Sequence, residues 1–175
     1  MSLVGQTAPD FKAKAYQKDK GFVEVQLSDY AKAGKWVVMV FYPLDFTFVC
    51  PTELKAFGEV YADFAAANTE VLAVSTDSHH SHKAWFQRDL PGVTYPVVAD
   101  ITKQISRNYG VLLEDAGYAL RGTFIIDPKG VVQYAVHSNT DVGRGTDETL
   151  RVLAACQAGG LCPANWKKGE KLLNA

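Results

Sequence analysis

The sequence predicts an α/β fold in which a central mixed β-sheet is flanked by helices on both faces. Two continuous apolar runs, residues 35–42 and 70–77, are typical of strands that are covered on both faces. A helical pattern lies between them, and a hairpin signal follows within residues 122–136. Strands joined by helices are expected to run parallel, whereas the hairpin adds antiparallel neighbours.

The first strand and the helix that follows it are the best marked elements. The strand KWVVMVFY is entered from a turn at Ala33-Gly34, and the helix is predicted over residues 51–67, with Pro51 at its first position. Apolar side chains recur along this segment at helical spacing, which predicts one buried face. They are Leu54, Phe57, Tyr61 and Phe64.

The elements after residue 70 continue this alternation. In order, they are a strand over 70–77, a helix over 81–90 with Ser81 as its N-cap, a short edge strand over 95–100, a short helix around 101–109, two strands within 122–136 and a helix over 146–157 that is capped by Thr146. Asp147 and Glu148 lie in the first turn of the last helix, where negative charge is favourable. The order is thioredoxin-like in outline, although periodicity alone leaves other α/β sandwiches open.

The C-terminal segment differs in composition from the rest of the chain. It is rich in Gly, Pro and Lys, and we predict that it is extended. The sequence is therefore divided into a compact domain, residues 1–157, and a C-terminal tail, residues 158–175.

Composition excludes several classes of function. The formal net charge is -1, so the sequence gives no electrostatic reason to expect binding to nucleic acid or to an anionic membrane. No apolar run reaches the roughly 18 residues that a membrane-spanning helix needs. The first residues lack a charged region followed by an apolar one, and we therefore expect a cytoplasmic protein.

The three cysteines, Cys50, Cys156 and Cys162, do not match a common disulfide or metal-binding pattern. Their odd number and wide spacing are not typical of a secreted disulfide scaffold, and no CxxC pattern is present for zinc or for a dithiol. A cysteine in a reducing compartment is either a small buried hydrophobe or a reactive thiol. The surroundings of each one decide between these interpretations.

Three histidines, His79, His80 and His82, lie within four residues. No cysteine or carboxylate motif accompanies them, so we interpret them as a solvated helix start and predict no metal. No GxGxxG or Walker pattern is present either, and no nucleotide or other cofactor is predicted.

Cys50 stands where a buried strand gives way to the first turn of a helix, in FYPLDFTFVCPTELKAF. Free backbone N–H groups and the positive end of the helix dipole converge there and favour the thiolate, which is the nucleophilic form. Thr47 could offer its hydroxyl to the sulfur or to an oxygen bound beside it. Pro43 has no N–H and could form a wall of the pocket. We therefore interpret Cys50 as a reactive thiol.

The segment FYPLDFTFVCPTEL resembles the active-site segment of the peroxiredoxins, in particular the two-cysteine group that includes bacterial alkyl hydroperoxide reductase C subunits. The stretches STDSHHSHKAW, RGTFIIDPKG, DVGR and LCPANWKKGE resemble the corresponding family stretches in the same order. The resemblance extends from about residue 4 to residue 170. It implies a thioredoxin fold and an antioxidant thiol peroxidase that reduces hydrogen peroxide and organic hydroperoxides.

The resemblance also implies the roles of individual residues. Cys50 would be the peroxidatic cysteine, Thr47 and Arg121 would hydrogen-bond the peroxide oxygens, and Pro43 would shield the site. In such a site, donors aimed at the developing negative charge are the expected catalytic device.

Two further charged residues would support the residues that contact the peroxide. Arg144 is placed there by the DVGR motif. Glu53, one turn beyond Cys50, could accept a hydrogen bond in the site, although a carboxylate in the first turn of a helix needs no catalytic reason.

Cys162, followed by Pro-Ala-Asn-Trp, matches the family's resolving cysteine, which comes from the partner subunit. The resemblance therefore implies an intersubunit disulfide, a homodimer and a ring of five dimers, a homodecamer. Either thioredoxin or a dedicated flavoprotein disulfide reductase would reduce this disulfide. The connection before Cys162 is shorter than the usual family connection, and Cys156 within it has no family role, so competition for resolution is left open.

Three other functions remain to be distinguished from this one. A thiol–disulfide oxidoreductase would be expected to carry CxxC. A binding module or chaperone-like assembly would keep its activity after Cys50→Ser. A one-cysteine peroxidase would keep its turnover after Cys162→Ser.

Overall fold

The computed structural model describes residues 2–174 and has the α/β architecture that the sequence predicts. The elements in chain order are β1 (Lys12–Gln17), β2 (Gly21–Gln26), α1 (Leu27–Lys32), β3 (Trp36–Phe41), α2 (Cys50–Glu59), α3 (Tyr61–Ala66), β4 (Thr69–Ser75), α4 (His79–Asp89), β5 (Val97–Ala99), α5 (Gln104–Asn108), β6 (Leu112–Leu113), β7 (Tyr118–Ala119), β8 (Arg121–Ile126), β9 (Val132–Ser138) and α6 (Thr146–Ala158).

The main sheet has the strand order β2-β1-β5-β4-β3-β8-β9, and β6 pairs with β7 separately. β3, β4 and β5 are parallel to one another because helices connect them, whereas β8 and β9 form an antiparallel hairpin beside β3. The mixed sheet confirms the predicted fold class. No helix within residues 2–174 has the length and apolar character that a membrane crossing requires.

Side chains alternate along β3 between two apolar cores, one on each face of the sheet. Val38 and Val40 point to the core formed with α2, α3, α4 and α6, and this core also contains Cys50. Val37 and Met39 point to the core that includes α1 and α5. A strand buried on both faces reads as one unbroken apolar run, which is why β3 was recognisable in the sequence.

The strand β5 is not at an edge of the sheet, and that prediction is wrong. It lies between β4 and β1, because β1 and β2 form an N-terminal hairpin that occupies the edge. Alternation in KAKAYQ and GFVEVQ was the available signal for this hairpin. Its turn contains Asp19 and Gly21 at positive φ, a conformation that Gly adopts freely and Asp adopts more readily than most residues.

Three helix boundaries also differ from the prediction. The predicted helix over 51–67 is two helices, since the backbone at Val60 leaves the helical region. Ser78, not Ser81, caps α4 and accepts a hydrogen bond from the Ser81 amide at 3.1 Å. Gly145 takes the N-cap position of α6 without a side-chain bond, and Thr146 is already helical.

The C-terminal tail is folded back on α6, so the prediction of an extended segment is wrong. α6 ends at Ala158, Gly159 adopts the left-handed conformation, and Leu173 bridges back to Leu161. The Trp166 side chain is 4% exposed, and Arg151 of α6 donates to the Trp166 carbonyl at 3.1 Å. A buried tryptophan inside a Gly- and Pro-rich segment anchors the segment despite its composition.

Candidate active site

Cys50 is the first residue of α2 and is almost completely buried, with 1% of its surface exposed. The loop of residues 42–49 brings the chain from the end of β3 to this position, and Val49 is the N-cap. Pro51 follows inside the first turn, where its missing N–H is not needed for helical hydrogen bonding. Cys50 therefore combines the positive end of a helix with a dry environment, in which electrostatic interactions are strong.

Arg121 is the charged side chain that reaches the sulfur. Its Nη1 lies 3.4 Å from the Cys50 Sγ and donates to the Glu53 carboxylate at 2.6 Å. Its Nε donates to the Thr140 carbonyl at 2.7 Å. Since the guanidinium is planar and remains charged, these contacts fix a permanent positive donor beside the thiol.

Glu53 holds this arginine and a second one together. It lies three residues after Cys50 in α2, on the same helix face, and it accepts from the Arg144 backbone N and Nε, both at 2.8 Å, and from Arg144 Nη2 at 3.0 Å. Burial alone would raise the pKa of the Glu53 carboxyl, but the hydrogen bonds and charge of Arg144, together with Arg121, lower it below its ordinary value of 4.5. The carboxylate therefore stays ionised between the two guanidinium groups.

Arg144 also secures the loop before α6 to the start of β8. Its Nη1 donates to the Gly122 carbonyl at 2.7 Å and to the Thr123 hydroxyl at 3.1 Å. The structure thus brings Arg121 of β8 and Arg144 of the loop before α6 to Cys50 and Glu53 of α2, although the two arginines are far from α2 in the sequence.

We expect the Glu53 interactions to make stability depend on acid pH. Because the native pKa of Glu53 lies below 4.5, its stabilising contribution is complete above that pH and is lost as the pH falls through the native value. Denaturant unfolding of the wild type and of Glu53→Gln, measured from neutral pH down to about pH 3, should give free energies of unfolding that converge on acidification. Parallel curves would show that Glu53 does not bind the arginines as described.

Thr47 and Pro43 line the loop before Cys50. Pro43 is buried and Thr47 is partly buried. The Thr47 hydroxyl donates to the Leu44 carbonyl at 2.9 Å, so its hydrogen is engaged within the loop. Its oxygen can still accept a hydrogen bond, for example from the O–H of a hydroperoxide.

The other two cysteines lie at the end of α6 and in the tail, and all three cysteines are free thiols. The partly buried Cys162 donates from Sγ to the Ala155 carbonyl at 3.6 Å. Cys156 is also partly buried, and its pKa is raised by burial and by the nearby Cys162. A raised pKa lowers the fraction of thiolate, which makes Cys156 a poorer nucleophile at neutral pH.

The prediction that the three histidines form a solvated helix start is wrong for His82. Its side chain is fully buried, and its Nδ1 lies 2.9 Å from a carboxylate oxygen of Asp45, a residue of the active-site loop that the sequence analysis missed. The available signal was helical spacing, since His82 shares a face with Trp85 and Phe86. Within residues 2–174, no group of three or more His, Cys, Asp or Glu side chains is arranged to hold a metal ion.

Comparisons with known proteins agree with this geometry. The profile of the AhpC/TSA family matches residues 4–135. The chloroplastic 2-Cys peroxiredoxin BAS1 of Spinacia oleracea is 51% identical over 180 residues, which cover 98% of this chain and 67% of the spinach chain. The resemblance inferred from the segment around Cys50 is therefore confirmed.

Solved structures give the same result for the fold. Reduced 2-Cys peroxiredoxin of Plasmodium vivax superposes with a TM-score of 0.93 at 40% identity, over 98% of this chain and 92% of that chain. AhpC of Enterococcus faecalis gives a TM-score of 0.87 at 38% identity, over 99% and 100% of the two chains. The thioredoxin-like fold is likewise confirmed, and the chain belongs to the AhpC/TSA family as a two-cysteine peroxiredoxin, a thiol peroxidase.

Proposed function

We propose that this peroxidase reduces hydrogen peroxide and organic hydroperoxides at Cys50, and that Cys162 of a second copy of the chain resolves the oxidised sulfur. The observation that carries the proposal is the placement of Arg121 Nη1 at 3.4 Å from the Cys50 Sγ, with the guanidinium held by Glu53 and the Thr140 carbonyl. A buried thiol beside a fixed cation at a helix start is suited to nucleophilic attack.

In the first step, the Cys50 thiolate attacks one oxygen of the hydroperoxide. An S–O bond forms as the O–O bond breaks, so sulfur is oxidised and the peroxide is reduced. Cys50 becomes a sulfenic acid. The other oxygen leaves with the electron pair of the broken bond and takes up a proton to give an alcohol, or water when the substrate is hydrogen peroxide.

Arg121 would stabilise the negative charge that develops on the departing oxygen. A donor that is already oriented needs no rearrangement during the reaction, which is the source of its catalytic effect. Thr47 would accept from the hydroperoxide O–H and Pro43 would limit access of water, while Glu53 and Arg144 would hold Arg121 in position.

In the second step, the Cys162 thiol attacks the sulfenic sulfur, which forms a disulfide and releases water. A disulfide brings its two Cα atoms within about 7 Å of each other. Because Cys50 is 1% exposed and Cys162 lies in a tail that is folded on α6, the first turn of α2 and the tail of the second copy would both have to open. The tail that opens is residues 158–175.

Arg121→Gln tests the proposed role of the fixed cation. We expect the second-order rate constant for oxidation of Cys50 by hydrogen peroxide to fall by about 10²–10³-fold, as when one oxyanion donor is removed. The rate constant is obtained from the amount of free Cys50 thiol that remains at successive times after rapid mixing. Arg107→Gln is the matched control, because Arg107 pairs with Glu114 at an exposed site and should leave the rate unchanged. Equal rates in the wild type and Arg121→Gln would contradict the assignment.

Partners and assembly are also part of the proposal. The disulfide would be reduced by thioredoxin or by a dedicated disulfide reductase through thiol exchange. The outer edge of β9, which pairs with no other strand within residues 2–174, and the 93% exposed side chain of Phe48, two residues before Cys50, support a homodimer, because a second copy could pair with this edge and cover this ring. A ring of five such dimers and a cytoplasmic location are proposed from the family resemblance and from the need for a reducing compartment.

A further inference from the structure

The loop that carries Thr47 to Cys50 is fastened to α4 by a buried polar cluster, which we call the Asp45 cluster: Tyr42, Asp45, Ser81 and His82. The Asp45 carboxylate accepts from the Tyr42 hydroxyl and the Ser81 hydroxyl, both at 2.7 Å, and lies 2.9 Å from His82 Nδ1. Asp45 is 6% exposed, and the side chains of Tyr42 and His82 are fully buried. The bonds to Ser81 and His82 join the loop, at a point five residues before Cys50, to the first turn of α4.

Further hydrogen bonds fix the positions of His82 and Asp45 within the Asp45 cluster. His82 Nε2 faces the Val98 carbonyl at 3.3 Å, so both ring nitrogens of His82 face acceptors. The backbone N of Asp45 donates to the Asp77 carboxylate at 2.7 Å. Ser81, His82 and Asp77 lie outside the loop, so a movement of Asp45 away from α4 would break its bonds to all three together.

Next to the anchor, the backbone is strained. Phe46 has a φ of 56°, a left-handed conformation that is unfavourable for a bulky residue other than Gly. Its ring packs at 5.8 Å from the ring of Trp85 and lies 4.9 Å from the Arg88 guanidinium, both in α4. Packing against α4 therefore holds Phe46 in a conformation that it would leave if the loop moved away from α4.

A strained segment that is held by specific bonds can be closed, with the bonds made, or open, with the bonds broken. The catalytic cycle requires both of these states of the loop. Peroxide reduction uses the closed loop, which shapes the pocket around Cys50, whereas disulfide formation needs Cys50 exposed. From these observations, and on the basis of the function proposed above, we infer that Asp45 is a positioning residue. Its bonds to α4 hold the loop closed for the reaction with peroxide and thereby delay attack by Cys162.

This role predicts opposite changes in two steps of one cycle. Asp45→Asn removes the charge of the acceptor, and loss of one charged hydrogen bond is expected to shift the balance of closed and open loop by about ten-fold or more toward the open state. Because the closed loop is the resting state, in which Cys50 is 1% exposed, oxidation of Cys50 should slow only as far as the closed fraction falls, whereas disulfide formation, which needs the open loop, should become faster by up to that factor. As a result, less sulfinic acid should accumulate at high peroxide, because the sulfenic acid is removed sooner.

The experiment measures both steps in the reduced full-length chain by rapid mixing with hydrogen peroxide. Thiol titration gives the oxidation of Cys50, and non-reducing electrophoresis of quenched samples gives the disulfide. Ser81→Ala removes one bond of the cluster and should act in the same direction with a smaller effect, so it decides the matter if Asp45→Asn fails to fold.

Asp127→Asn is the control for a loss of stability alone. Asp127 accepts three hydrogen bonds in the turn between β8 and β9, at the opposite end of β8 from Arg121. It should lower the unfolding temperature without changing the ratio of the two rates. An unchanged ratio in Asp45→Asn and Ser81→Ala, or two rates that fall in parallel, would overturn the inference. A wild type whose Cys50 does not react with peroxide would instead overturn the proposed function.

Discussion

Cys50→Ser is expected to reduce peroxide consumption to the level of free thiols in solution. The hydroxyl of serine is not ionised at neutral pH and cannot accept the peroxide oxygen as sulfur does, so the chemical step is lost rather than slowed. The substitution is nearly isosteric, and Arg121 keeps its bonds to Glu53 and to the Thr140 carbonyl. The fold should therefore remain intact.

The assay is consumption of hydrogen peroxide by reduced protein in excess dithiol. Cys156→Ser is the matched control, because it also removes one partly buried thiol but should leave the activity close to that of the wild type. Persistent activity in Cys50→Ser would favour a different nucleophile. A chaperone-like function, if present, would survive in this variant and can be assayed in the same preparation.

Cys162→Ser is expected to separate the two steps of the cycle. Oxidation of Cys50 should continue at the wild-type rate, since Cys162 bonds to the Ala155 carbonyl and makes no contact with Arg121 or Glu53 within the hydrogen-bond network of the described residues. No disulfide should form, and turnover with a protein dithiol reductant should fall to background. Sulfinic acid should accumulate on Cys50, because its sulfenic acid is no longer removed.

The measurement is steady-state peroxide reduction coupled to a thioredoxin system, followed by mass analysis of the Cys50 peptide. Cys156→Ser is again the control. Full turnover of Cys162→Ser with this reductant would indicate a one-cysteine mechanism. Loss of turnover in Cys156→Ser instead would assign resolution to Cys156.

The parts of the fold that could be predicted are those with a strong local signal. β3 is covered on both faces and reads as one apolar run, and the Asp-Pro-Lys-Gly turn marks the hairpin of β8 and β9. The position of β5 could not be predicted in this way. It depends on which strand pairs with its outer edge, and that partner, β1, lies about 80 residues away in the sequence.

The same distinction applies to the active site. Cys50, Thr47 and Pro43 fall in one continuous segment, whose resemblance to the peroxiredoxins identified them. Asp45 lies in that segment too, but its role depends on His82, a residue from another helix that reads as part of a polar cluster in HHSH. A buried hydrogen-bonded pair from two separate elements cannot be recognised when each segment is read alone.

The pairing of cysteines after a single oxidation tests the central claim most directly. Reduced wild-type protein is treated with about one equivalent of hydrogen peroxide per Cys50, free thiols are blocked, and linked peptides are identified by non-reducing electrophoresis and mass analysis. The mechanism predicts one species, a disulfide between Cys50 of one chain and Cys162 of another. A Cys50–Cys156 bond within one chain, or Cys50 still reduced with the peroxide unconsumed, would contradict it.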